Sequence, residues 1–250
     1  MLTTASASLL VALLVLAGLS WAYLATPGGA VAMSGEADPA GFVLFLTTWV
    51  VMMGAMMFPA VAPVVLVYTQ YTRRQTTSWT VHAALFLTGY VVIWTAVGMV
   101  AWMIVALLEP PLTAIPIVQA APQLFLGAAL VAAGLYQLTP LKKACLGHCR
   151  SPMRWIFLGF RPGKSGALRM GLEEGVFCLG CCAGLMVMLL AVGLASVGWM
   201  AAVAAIIFVE KVLAPTAGVA KLVGLGLLAF GIAVATIPAL AEFTLSGRSM

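Results

Sequence analysis

Long apolar runs separated by short polar breaks set the pattern of this chain. The runs lack the alternation of half-buried strands, and most approach the roughly 20 residues an α-helix needs to cross about 30 Å of hydrocarbon. Inside lipid the backbone must satisfy its own hydrogen bonds, which leaves helices or closed barrels, and the missing alternation selects helices. The pattern predicts an all-α, polytopic transmembrane helical bundle of about seven spans. They lie near residues 7–25, 42–68, 79–107, 121–138, 171–195, 198–213 and 222–240. Residues 139–170 form the longest polar stretch and read as a basic loop, while Glu210 and Lys211 interrupt the apolar region around the sixth span. The first run has no basic flank ahead of it and small residues behind it. We read it as an uncleaved span rather than a cleaved signal. No repeat or soluble segment is evident, so residues 1–250 read as one integral membrane domain.

Composition supports this reading. The chain is 64% hydrophobic and 8% charged, whereas a soluble domain carries about 25% charged residues to solvate its surface. The net charge of +5 could suggest nucleic acid as a partner, but its distribution excludes that reading. Arg73 and Arg74, then Lys142, Lys143, Arg150, Arg154, Arg161, Lys164 and Arg169, then Lys211 and Lys221 all fall on one side of the expected topology, leaving Arg248 on the other. By the positive-inside rule that side is cytoplasmic, which implies a multi-pass protein of the cell inner (cytoplasmic) membrane, solvated by membrane lipid. Glu36, Asp38 and Glu109 fall on the outer side. The five cysteines are odd in number and sit in or beside spans, unlike a secreted disulfide framework.

Three clusters carry soft ligands. Met52, Met53, Met56 and Met57 occupy an arc of about 140° on the second span, ahead of Pro59 and Pro63. Thioethers select Cu(I) over hard cations, although methionine is also a flexible packing residue. Pro59 leaves the Ala55 carbonyl without its helical donor and should kink the helix. Cys178, Cys181 and Cys182 share an arc of about 100° on the fifth span, supplying much of a soft-metal site. Gly171 and Gly175 share their face and offer close helix packing as the alternative role. Cys145, His148 and Cys149 repeat the same spacing in the basic loop, where neighbouring cations should favour thiolates.

At 1.5 Å per residue, Met52 and Cys182 both fall about 15 Å below the outer boundary, a level compatible with a shared site. Met33, Met99, Met103, Met186, Met188 and Met200 suggest a thioether route toward it. Glu173 and Glu210 are candidate supporting or proton-handling carboxylates, and Glu210 with Lys211 reads as an interfacial charge pair. No residue is assigned a catalytic role.

Segments spanning Met52–Pro59, Gly134–Lys142, Cys145–Pro152, Gly171–Cys182 and Glu210–Lys211 resemble the bacterial predicted metal-binding integral membrane protein family, long known as a domain of unknown function. The resemblance implies metal binding but carries no ligand set. Together with the soft donors it leads us to expect a copper-binding membrane protein, with zinc the lesser alternative. Such a protein would act as a copper-handling subunit or delivery factor for a partner membrane metalloenzyme, or as a homo-oligomer. A structural helix-packing subunit, a copper-dependent membrane oxidase and a membrane dithiol redox protein are the alternatives.

Overall fold

The computed structural model describes residues 4–26, 28–29, 39–108, 121–192, 196–213 and 218–246, and no strand occurs among them. Met33, Glu36, Asp38, Glu109, residues 193–195 and Arg248 lie outside the described residues. Among these residues ten α-helices follow in chain order: α1 (Thr4–Leu24), α2 (Pro39–Arg73), α3 (Trp79–Met103), α4 (Pro122–Leu138), α5 (Pro140–Arg150), α6 (Pro152–Gly159), α7 (Gly163–Val192), α8 (Val197–Phe208), α9 (Gly218–Thr236) and α10 (Pro238–Ser246). Short π-helical turns, Ile104–Leu108 and Val209–Leu213, extend α3 and α8.

Among the described residues, five helices are long and apolar enough to cross a membrane: α1, α2, α3, α7 and α9. Helix α4 makes a sixth if it is counted with α5 across a 62° bend. The expected span at 198–213 exists as the 12-residue α8 and its five-residue π turn, the turn that carries Glu210 and Lys211.

The stretch expected as a basic loop folds into α5, α6 and the first turns of α7. Thr139–Pro140 and Ser151–Pro152 are the local reason. Proline cannot continue the preceding helix but fits the first position of a new one. The Thr139 hydroxyl caps α5 by accepting the Lys142 backbone N–H at 3.3 Å. Buried Lys142, Cys145, Leu146 and Cys149 then fall on one face of α5, at helical spacing.

Small residues order the bundle. Helix α7 packs on α3, α4 and α5, α3 packs on α2, α2 on α1, and α4 on α9. A Cβ on Gly171 of α7 would run into the Phe86 backbone carbonyl of α3, and one on Gly127 or Gly134 of α4 would lie 2.7 or 2.9 Å from a backbone carbonyl of α9. Where helices have no hydrophobic drive toward each other, such close approach supplies the packing energy. Helix α2 runs through Pro59 and Pro63 as one element. The Ala55 carbonyl that Pro59 leaves without a donor accepts the Trp21 indole N–H at 3.1 Å, tying α1 to α2. Leu16, Leu19, Val92, Leu222, Leu225 and Ile232 face outward. So much exposed apolar surface is a liability in water and a solvated surface in lipid.

Candidate metal centre

Helix α7 holds Cys178, Cys181 and Cys182 buried at the middle of the bundle. Its Gly171 and Gly175 face α3, as expected of a small-residue surface, with Gly175 against Ile93. On another face, Gly180 leaves room for sulfur from α5: a Cβ there would lie 2.6 Å from Cys145 Sγ. This missing side chain lets α5 settle against α7 and brings the two cysteine motifs together. Cys149 Sγ points at Cys181 Sγ from 4.0 Å, with both residues buried.

The remaining thiols have other partners. The Cys181 and Cys182 thiols donate to the Cys178 carbonyl at 3.1 and 2.9 Å. Cys178 Sγ accepts from Lys211 Nζ at 2.8 Å and meets the Tyr90 hydroxyl at 3.0 Å. Lys211 is buried within the bundle, so its cation is spent on sulfur and not on lipid headgroups.

Glu210 and Lys211 do not pair. Adjacent helical residues diverge by about 100°, so their side chains leave in different directions. Glu210 turns to α5 and accepts from Lys142 Nζ at 2.7 Å, while Gln137 Nε2 donates to its other oxygen at 3.3 Å. Arg150 Nε donates to the Glu210 backbone carbonyl at 2.7 Å. A buried ionic and polar network thus fastens the α5 helix, which carries Cys145 and Cys149, to the π turn that carries Lys211.

His148 meets α7 through an aromatic ring and a carboxylate. Its ring stacks on Phe177 at 3.7 Å between centroids and approaches Glu174 at 3.7 Å. Glu174 is the buried carboxylate of this region, whereas Glu173 faces outward to Arg161 and Arg169 at 3.0 and 3.3 Å. The basic neighbourhood does not lower the α5 thiols. Donation toward Cys181 together with burial holds the Cys149 thiol well above its ordinary value, and burial pushes the Cys145 thiol up.

Met52, Met53, Met56 and Met57 are all buried in α2. Helix α3 packs between α2 and α7 and bridges the methionine and cysteine clusters. Tyr90 of α3 touches both neighbourhoods: it lines a small cavity with Met53, Gly54 and Trp94, and its hydroxyl meets Cys178. Met186, Met188 and Met200 are buried, but Met99 and Met103 turn to the outer surface, away from any interior thioether route.

Among the described residues no three His, Cys, Asp or Glu side chains converge into a metal-binding group. The structure presents a two-sulfur pair instead. With metal–sulfur bonds of about 2.3 Å, sulfurs 4.0 Å apart subtend an angle of about 120° at an ion between them. That suits a soft monovalent ion of low coordination number, whereas a structural Zn²⁺ site asks for four ligands. Sequence reasoning did not place Lys142, Gln137, Tyr90 or Glu174 at the sulfur site, and it gave Lys211 to an interfacial pair with Glu210. The available signal was the amphipathic spacing of Lys142 with Cys145 and Cys149.

A family model described as PpoB2, copper chaperone, matches residues 46–234. The matched stretch contains all five cysteines and Met52, Met53, Met56 and Met57. No curated protein and no solved structure matches the chain.

Proposed function

Since this chain belongs to the copper chaperone family, we propose that it is a multi-pass membrane protein that carries Cu(I) on its buried thiols and passes it to a copper-dependent partner. The observation behind this reading is the Cys149–Cys181 sulfur pair at 4.0 Å, buried between α5 and α7. Copper is the cargo here. As it enters, each thiol gives up its proton and the two sulfurs take the ion in a water-poor interior, where soft thiolate donors outcompete hard ones. Cys145 beside Gly180, and Cys178 and Cys182 one helical turn from each other, are further sulfurs to which the ion can shift by stepwise ligand exchange. Met53 of α2 lies across a small cavity from Tyr90 and offers a further soft donor on that side. In the topology we propose, the basic side with α5 and α6 is cytoplasmic and the protein resides in the inner membrane.

The test is elemental analysis of detergent-purified protein after anaerobic loading with Cu(I). We expect about one copper per chain, and loss of most of it in Cys149→Ser and in Cys181→Ser. Retention of full copper in the double variant sinks the reading. The same sulfur pair also admits dithiol exchange. A reversible Cys149–Cys181 disulfide in protein that binds no copper would favour that second reading.

A further inference from the structure

We infer that Lys211 is a fixed counter-charge that makes the thiol site discriminate for a monovalent over a divalent ion. This rests on the proposed Cu(I) site and names what sets its choice of cargo. The geometry is specific. Lys211 is buried, its Nζ donates to Cys178 Sγ at 2.8 Å, and Cys149, Cys181 and Tyr90 all lie within electrostatic reach of its ammonium. Its sequence neighbour Glu210 is engaged by Lys142 on the other side of the turn and does not neutralise it.

The charge count explains the selectivity. The Lys211 ammonium repels any cation at the sulfur pair, and replacing Cu(I) by Zn²⁺ or Cd²⁺ adds one further unit of positive charge beside it. Both ions displace the same two thiol protons, which go to solvent. The effect of Lys211 on thiolate formation therefore cancels when the two metals are compared, and what survives is the repulsion of one extra unit of charge. At separations of about 5–8 Å and an effective dielectric near 20, that repulsion is worth roughly thirtyfold to three-hundredfold in affinity ratio. Glu174, buried on α7 with His148 3.7 Å away, also faces Lys211.

The experiment measures Cu(I) and Cd²⁺ affinities by chelator competition on the full-length detergent-solubilised protein, for wild type, Lys211→Met, Lys211→Gln and Lys211→Arg. Circular dichroism and thermal midpoints identify variants that fold, and two neutral substitutions guard against the loss of either. The expected result is a Cu(I)-to-Cd²⁺ affinity ratio that falls at least tenfold in the neutral variants and stays near wild type in Lys211→Arg. A wild type that binds Cu(I) while the neutral variants keep its ratio would overturn the counter-charge role alone. A wild type that binds no Cu(I) would overturn the site reading beneath it.

Discussion

Lys142 and Glu210 form an ion pair 2.7 Å long with both side chains almost wholly removed from solvent, at 1% and 2% exposure. The pair joins α5 to the π turn after α8, so it fixes the helix that carries Cys149 against the turn that carries Lys211. Breaking a buried pair leaves an uncompensated charge, which costs about 3–5 kcal/mol. Lys142→Met or Glu210→Gln should each lower the thermal midpoint in detergent and weaken Cu(I) binding together. The double variant Lys142→Met with Glu210→Gln should recover much of the stability. Additive losses in the double variant would show that the two residues act separately.

Trp21 and Pro59 are coupled through the Ala55 carbonyl. Trp21→Phe leaves that buried acceptor without a donor, at a cost of about 1–3 kcal/mol. In a Pro59→Ala background residue 59 regains its N–H and the same substitution should cost far less. The comparison needs only thermal or denaturant unfolding of four proteins. An equal cost in both backgrounds removes the explanation.

Two glycines on α7 should respond differently to alanine. At Gly171 the new methyl meets the Phe86 backbone, which cannot move without separating α3 from α7, so a loss of about 1–3 kcal/mol or more is expected. At Gly180 it meets only the Cys145 sulfur, a side-chain end that can swing aside. Gly180→Ala should keep most of the fold while displacing α5 enough to weaken Cu(I) binding. Unfolding midpoints and copper stoichiometry, measured on the same samples, separate the two cases.

The helical class followed directly from unbroken apolar runs such as Trp79–Leu107, because only a helix or a barrel can bury that backbone in lipid. The same reasoning misled at α5. Its three cations and histidine outweighed a clear amphipathic face, and the segment read as loop although Thr139–Pro140 is a helix start. The cysteine spacing on α7 put three thiols on one side of a helix, but no pattern along a single chain says which neighbour that side meets. The meeting of Cys149 with Cys181 depends on Gly180 having no side chain, a tertiary fit with no periodicity to announce it. Lys211 was read as one half of an interfacial charge pair with Glu210, since lysines near helix ends usually reach the interface. It turns inward because Cys178 gives it a buried acceptor.

Copper K-edge absorption on the Cu(I)-loaded protein reads the ligands themselves. The account predicts an inner shell of two or three sulfurs at about 2.2–2.3 Å, with sulfur replaced by a lighter donor in Cys149→Ser and again in Cys181→Ser. A nitrogen or oxygen shell in the wild type, or a sulfur shell untouched by both substitutions, would contradict it.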